Sequence, residues 1–194
     1  GTLLDFIHKR KSKGKTISEK RVLYLFSQIA VSLSFIHSQR ILHRDMKTSN
    51  IFLNKTLDVV KVGDFGISTI LNTNISKAVS VIGTPSYISP ELCENQPYNR
   101  KSDIWALGCI LYEMITLKRA FEALNLPALV KKILTGAVPP MTGTYSNEIK
   151  DLVTSLLNRE PDKRPSIKEV LANPLLINTF MDLPINIGRP RGLR

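Results

Sequence analysis

The chain has 194 residues, of which 43% are apolar, and this length and composition predict one globular domain with an ordinary core. Its net charge is +11, but the Lys and Arg residues are spread along the chain, with one denser run at residues 9–15. No zinc-finger spacing or aromatic RNA-binding motif accompanies these charges, so we expect no nucleic-acid partner.

Nothing in the sequence predicts a membrane or a secreted location. No apolar run approaches the ~18 residues of a membrane span, and no secretory leader is visible. The two cysteines, Cys93 in a predicted polar loop and Cys109 in an apolar stretch, favour neither a disulfide framework nor a metal cluster. We therefore expect a soluble protein of a reducing, intracellular compartment that has no membrane partner.

The first third of the chain has helical periodicity. Residues 2–10 place four apolar side chains on one helical face, and a polar stretch with Gly14 follows, which predicts a short helix and a loop. A second helix is predicted to run to about Ser38, with Ser18 as its capping residue. Ile17 and Val22 can form a hydrophobic staple at its start.

Two short apolar runs come next, at residues 51–53 and 59–62, and residues 54–58 supply a turn. They predict a small hairpin that joins Asn50 to Asp64. Residues 67–81 are rich in Ser, Thr and Asn without a sustained period, which predicts a mobile segment whose far end is anchored near Ser89-Pro90-Glu91.

The second half of the chain is predicted to be helical. Residues 102–116 leave almost no polar face, so we expect this helix to be buried all round as the axis of the core. Further helices are predicted at residues 126–134 and 147–157, and a last one, capped by Ser166, is predicted to end near Ala172. Residues 181–194 have no apolar periodicity and predict a basic, disordered tail. The pattern as a whole predicts a mainly α (α+β) fold.

One stretch indicates a chemistry. It runs from His43 to Asn50 and is followed, after the hairpin, by Asp64-Phe65-Gly66. Two carboxylates and an amide so placed can converge on a metal-bound polyphosphate and a hydroxyl. Phosphoryl transfer needs a carboxylate that orients the attacking hydroxyl, hard oxygen ligands for Mg²⁺, and a cation near the moving phosphate.

Together with Ser89-Pro90-Glu91, the motifs His43-Arg44-Asp45, Asn50 and Asp64-Phe65-Gly66 resemble, in order and spacing, the signature set of the eukaryotic protein kinases. Asp103 and Arg164 match further parts of that set, so the resemblance covers about residues 1–176. In detail the chain is most similar to the NIMA-related serine/threonine group. The resemblance is carried there by Asn50-Ile51-Phe52-Leu53, Pro97-Tyr98-Asn99 and Arg119-Ala120-Phe121-Glu122-Ala123.

This resemblance implies the helical C-terminal, or large, lobe of the protein kinase fold over residues 1–180, with an activation segment at residues 64–91 and a small hairpin between the catalytic loop and Asp64. It also implies ATP and Mg²⁺ as cofactors and protein substrates that are phosphorylated on Ser or Thr.

The roles of the reacting residues follow from the same resemblance. Asp45 is expected to orient the substrate hydroxyl, and Lys47 to neutralise charge on the transferring phosphate of ATP. Asn50 and Asp64 are expected to bind Mg²⁺. Phe52 resembles the residue that closes the adenine pocket from below, although a core aromatic on a strand is by itself the commoner explanation.

Three hydroxyl residues of the activation segment are further candidates. Thr84 is expected to join Asp45 and Lys47 in one hydrogen-bonded set, while its alternative role is that of a turn residue before a proline. An Arg at position 44 can pair with a phosphorylated residue and order the segment, with Ser80 as the first candidate and Ser76 as the second. The alternative for both serines is a solvated loop hydroxyl.

Other matched residues are expected to have structural roles. Glu91 and Arg164 resemble a charge pair that anchors the end of the activation segment. Asp103 resembles the acid that holds the backbone of the catalytic loop, and His43 is expected to pack under that loop instead of acting as a general base. The remaining structural positions are Phe65 and Gly66, while His8 and His37 have no assignment.

One part of the kinase pattern is absent from these 194 residues. No Gly-rich loop, no strand Lys of the Val-Ala-Ile-Lys type and no partner Glu helix occurs, although the first three residues resemble the sequence just past the hinge. We therefore expect a fragment that lacks the small lobe, is inactive alone, and exposes the apolar surface that the small lobe covers.

Two alternatives stay open from the sequence. In the first alternative the chain is an inactive truncated product, and in the second it is a pseudokinase. In both, it acts as a binding or scaffold module. The presence of Asp45, Asn50 and Asp64 weighs against the pseudokinase. The NIMA-related group also suggests a cytoplasmic location associated with the cytoskeleton, the centrosome or the cilium.

Overall fold

A computed structural model describes residues 1–64 and 86–181. The described helices are α1 (Leu3–Ser12), α2 (Glu19–Ser38), α3 (Pro90–Cys93), α4 (Arg100–Thr116), α5 (Leu126–Thr135), α6 (Asn147–Leu156), α7 (Ile167–Leu171) and α8 (Pro174–Met181). Strands β1 (Ile51–Leu53) and β2 (Val60–Val62) form a two-stranded antiparallel sheet. The mainly helical fold with one small hairpin is thereby confirmed.

Helices α1 and α2 begin where the sequence predicts, but only the first has a side-chain cap. Thr2 Oγ1 accepts a hydrogen bond from the backbone N–H of Asp5 at 3.1 Å, and the Asp5 carboxylate accepts one from Thr2 at 2.8 Å. Ser18 occupies the N-cap position of α2 as predicted, but its side chain makes no capping hydrogen bond. Glu19, the first residue of α2, instead accepts hydrogen bonds from the backbone and hydroxyl of Ser146 and so joins α2 to the start of α6.

Helix α4 is the axis of the core. Residues 102–115 are all buried, as the absence of a polar face predicts. Helix α6 packs close against it at Gly108, where a Cβ would lie only 2.8 Å from Cβ of Leu156. A glycine is needed at this contact because no larger residue fits between the two helices.

The C-terminal part departs from the prediction. Ser166 caps α7 as expected, but α7 is not the last helix, since α8 follows after two residues. Pro174 occupies the first position of α8, where the missing N–H costs nothing, and the buried Leu176 faces the core. Cys93 ends the short helix α3 and does not lie in a loop. None of the described helices is long and apolar enough to cross a membrane.

The hairpin is held by side chains from its turn and from α2. Ile51 pairs with Val62 and Leu53 with Val60. Strand β2 begins at Val60, one residue later than predicted, because the N–H of Val59 is bound to Oδ1 of Asn54 in the turn at 3.1 Å. From α2, Oε1 of Gln28 accepts the N–H of Val60 at 3.0 Å. The hairpin is therefore fixed on α2, and its open end carries Asn50 and Asp64.

Candidate active site

The candidate catalytic loop connects α2 to β1 and is held from below by one carboxylate of α4. Oδ2 of Asp103 accepts the backbone N–H of His43 at 3.0 Å, and Oδ1 accepts that of Arg44 at 3.1 Å. Arg44 has φ of 68°, a left-handed conformation that is unfavourable for a residue with a side chain. The two hydrogen bonds stabilise this strained point of the loop.

Two further side chains bind the same carboxylate. Nε2 of His37 lies 2.8 Å from Oδ2 of Asp103, and the Tyr98 hydroxyl donates to Oδ1 at 2.5 Å. Burial acts to raise the pKa of Asp103, but the hydrogen bonds from His37, Tyr98 and the loop outweigh it, so the pKa lies below the usual value. Asp103 is therefore an anion with four donors. His37 had no assignment from the sequence because no motif pairs it with a residue 66 positions away.

His43 is buried and connects the loop to the hairpin. Its Nδ1 accepts the N–H of Asp45 at 3.3 Å, and its Nε2 lies 3.2 Å from the carbonyl oxygen of Gly63. This pair of contacts fits a neutral imidazole that carries its proton on Nε2 and donates it to Gly63. Burial lowers the pKa of His43, although the charge of Asp103 opposes that effect. Both ring nitrogens face backbone groups, which suits a structural role.

Asp45, Lys47 and Asn50 lie together at the open side of the loop. Nζ of Lys47 is 2.8 Å from Oδ2 of Asp45, and Nδ2 of Asn50 donates to the same oxygen at 2.7 Å and to the Asp45 carbonyl at 2.8 Å. Within the described part of the chain, no hydrogen bond reaches the other carboxylate oxygen, Oδ1. Asp45 is thus oriented through one oxygen and presents the other, on a side chain that is 39% exposed.

The hairpin brings Asp64 to the same end of the site. The N–H of Gly63 donates to the carbonyl oxygen of Asn50 at 2.9 Å, which extends the pairing of β1 and β2 by one position. Asp64 follows with φ of 53° and is exposed. Asp64 and Asn50 therefore lie next to each other at the open end of the hairpin.

The donor set fits a magnesium ion that is shared with a nucleotide. No group of three or more His, Cys, Asp and Glu side chains suited to a metal occurs in residues 1–64 and 86–179. Mg²⁺, however, is commonly held by one or two protein oxygens together with substrate phosphates. Asn50 donates through Nδ2, which leaves Oδ1 as an oxygen ligand, and the Asp64 carboxylate is a second hard ligand.

Phe52 lies on β1 and is 41% exposed. Its ring packs on Gly63, where an added Cβ would lie 2.7 Å from Cε2 of the ring. On its other side, β1 is bridged at Phe52 to Thr2 of the N-terminal segment. The half-exposed ring next to Asn50 and Asp64 offers a flat apolar surface on which a base can stack.

Glu91 and Arg164 form a buried ion pair at the end of the activation segment. Nη1 and Nη2 of Arg164 donate to Oε1 and Oε2 of Glu91 at 2.9 and 2.7 Å. Arg164 also donates to three backbone carbonyls, and its guanidinium lies 5.1 Å from the Trp105 ring centroid. The pair fixes where the chain re-enters the core after the activation segment.

Five of the predicted residues lie outside the described part of the chain: Phe65, Gly66, Ser76, Ser80 and Thr84. Arg44 is described, and its side chain is exposed. No carboxylate of the described residues pairs with its guanidinium. Three residues that were not predicted from the sequence meet beneath the loop through their side chains: Thr48, Tyr87 and Glu113.

Comparison with known proteins identifies a family and several relatives. The protein kinase domain family matches residues 1–176. The chain is 52% identical over 188 residues to the serine/threonine-protein kinase Nek8 of Danio rerio, which is 97% of this chain and 26% of that protein. It is 50% identical over 182 residues to the probable serine/threonine-protein kinase nek3 of Dictyostelium discoideum, or 92% of this chain and 16% of the relative.

A third relative, the serine/threonine-protein kinase nekl-2 of Caenorhabditis elegans, is 47% identical over 171 residues, which are 88% of this chain and 48% of that protein. The chain therefore spans less than half the length of each of these curated relatives.

Proposed function

Because the chain belongs to the protein kinase domain family, we propose that it carries the catalytic loop of a NIMA-related serine/threonine-protein kinase. The reaction is transfer of the γ-phosphate of ATP to a Ser or Thr hydroxyl of a protein substrate. The observation that supports this most is the geometry of Asp45, whose Oδ2 is held by Lys47 and Asn50 while Oδ1 receives no hydrogen bond from the described residues.

Each of the four site residues has a role in the proposed transfer. Oδ1 of Asp45 accepts the hydroxyl proton of the substrate and points the hydroxyl oxygen at the γ-phosphorus. Lys47, 2.8 Å from Asp45, places positive charge beside the phosphate as the bond to the leaving oxygen breaks. Asn50 and Asp64 hold Mg²⁺, which neutralises charge on the phosphates of ATP when it is bound.

We also propose that transfer needs a small lobe in addition to these 194 residues. The sequence contains no Gly-rich loop and no strand Lys to position the phosphates of ATP. A misplacement of about 1 Å can cost on the order of a hundredfold in rate. Val31 and Phe35, one turn apart on α2, are 47% and 66% exposed and provide an apolar face of the kind that a second lobe covers.

The test compares the chain alone with the chain joined, ahead of Gly1, to the small lobe of Nek8 of Danio rerio. Binding of ATP with Mg²⁺ and phosphorylation of a generic Ser/Thr protein substrate are measured for both. We expect weak binding and no detectable transfer for the chain alone, and transfer for the joined protein. Tight ATP binding by the joined protein without any transfer would favour the scaffold alternative.

A further inference from the structure

Thr48, Tyr87 and Glu113 form a polar cluster beneath the catalytic loop. Thr48 begins the turn Thr48–Asn50 of the catalytic loop, and Glu113 lies near the end of α4. Tyr87 precedes α3, in the stretch that leads from the activation segment to Glu91. Thr48 and Glu113 are only 1% and 3% exposed, so each polar atom needs a partner from the protein.

The partners are found within the cluster. The Tyr87 hydroxyl donates to Oε2 of Glu113, and Oγ1 of Thr48 lies 3.2 Å from the same oxygen. The two hydroxyl oxygens are 2.8 Å apart, and the N–H of Thr48 points at the Tyr87 oxygen at 3.5 Å. One carboxylate oxygen thus receives both hydroxyls, an arrangement that suits an acceptor. The three residues hold one another in place.

The cluster connects two parts of the site that the chain leaves far apart. Thr48 follows Lys47 directly, and the turn it begins is closed by a hydrogen bond from the N–H of Asn50 to the carbonyl oxygen of Lys47 at 3.0 Å. A displacement of Thr48 therefore moves Lys47 and Asn50 together. At the other end, Tyr87 is four residues before Glu91, which is fixed by Arg164.

From these contacts we infer that Thr48 is a positioning residue. Its hydroxyl, held by Glu113 and Tyr87, sets the turn that carries Lys47 and Asn50 against the end of the activation segment. The inference rests on the proposed kinase function, because it assigns a role in the reaction at the same site. A threonine serves here because a hydroxyl is needed to reach the carboxylate, while its methyl group fills apolar space.

The experiment uses the full-length protein and compares kcat, KM for ATP and Tm of four single variants and of the double variant Thr48→Val with Tyr87→Phe. Thr48→Val keeps the shape and removes the hydroxyl, Thr48→Ser keeps the hydroxyl, and Tyr87→Phe removes the second hydroxyl. Thr154→Val is the control, because Thr154 is an exposed threonine whose hydroxyl binds only its own helix.

We expect Thr48→Val to lower kcat on the order of tenfold, measured well below its Tm. Thr48→Ser should restore kcat to within about twofold of the wild type, as expected where the hydroxyl carries the effect. The double variant with Tyr87→Phe should lose little more than Thr48→Val, because both changes break one network. If Thr48→Val does not fold, the loss of kcat in Tyr87→Phe carries the test.

Two results would overturn the inference. If Thr48→Val lowers Tm but leaves kcat at the wild-type value, the cluster serves only the stability of the fold. If Thr48→Ser is as impaired as Thr48→Val, the hydroxyl is not what matters. A wild-type protein that transfers no phosphate would contradict the proposed function itself, and this inference with it, whereas an active wild type beside a fully active Thr48→Val contradicts the inference alone.

Discussion

Arg164 and Glu91, 73 positions apart in the sequence, meet in a buried contact of two parallel hydrogen bonds that are 2.7 and 2.9 Å long. Neither side chain is more than 5% exposed. Ser102 of α4 donates a third hydrogen bond to Glu91 at 2.6 Å. A pair of this kind is costly to break from one side, because the remaining charge stays buried without its partner.

Replacement of Glu91 by Gln should therefore destabilise the fold strongly. It leaves the Arg164 guanidinium buried without a counter-charge, and we expect the free energy of unfolding at pH 7 to fall by about 3–5 kcal/mol. Urea denaturation measures this difference. The control is Glu148→Gln, since Glu148 is exposed on α6 and should change the free energy by less than about 0.5 kcal/mol.

The effect should also depend on pH. Burial acts to raise the pKa of Glu91, but hydrogen bonds from Arg164 and Ser102 outweigh it and keep the pKa below the usual 4.5. A carboxyl with a lowered pKa stabilises the folded state above its unfolded pKa, and this contribution is lost as the pH falls through the folded pKa. The difference between wild type and Glu91→Gln should thus shrink below about pH 4.5. A difference that stays constant down to pH 3 would contradict this explanation.

Phe52 is predicted to contribute to ATP binding through its exposed ring. Phe52→Ala in the full-length protein should raise KM for ATP by roughly tenfold with a smaller change in kcat, since an aromatic contact of about 1–2 kcal/mol is lost. Gly63→Ala should act in the same direction, because its Cβ would displace the ring. Val59→Ala, an exposed apolar position of the same hairpin, is the control. An unchanged KM in Phe52→Ala would remove Phe52 from the nucleotide site.

Phosphorylation of Ser80 is predicted to raise activity through Arg44, whose exposed guanidinium has no described carboxylate partner. A phosphate adds close to two negative charges and three acceptor oxygens, which suit an Arg fork. We expect the phosphorylated wild type to exceed Ser80→Ala severalfold in kcat, and Arg44→Gln to abolish that gain. Ser76→Ala tests the second candidate in the same assay. Equal activity of the phosphorylated wild type and Ser80→Ala would exclude Ser80.

Much of the fold could be predicted because it depends on local patterns. The periodicity of α2 and the lack of a polar face on α4 each determine a helix and its burial. The hairpin follows from two short apolar runs around a turn. Helix α8 was not predicted, although Pro174 is well suited to the first turn of a helix.

The candidate site could be predicted only in part, since motifs give residues and not their partners. The loop motif indicates Asp45, Lys47 and Asn50, which the structure brings together. His37 and Tyr98 bind Asp103, and Tyr87 and Glu113 bind Thr48, through contacts that depend on how distant elements pack. Sequence spacing carries no signal for such contacts, because any buried carboxylate could take its donors from several helices.

The central claim is that Asp45 orients the substrate hydroxyl for phosphoryl transfer, and one measurement tests it most directly. The rate of phosphate transfer from ATP to a protein substrate is compared among the full-length wild type, Asp45→Asn and Asp151→Asn, an exposed position on α6. We predict that Asp45→Asn lowers kcat by about 10²–10⁴-fold with an unchanged Tm, while Asp151→Asn matches the wild type. A folded Asp45→Asn protein that transfers phosphate at the wild-type rate would contradict the claim.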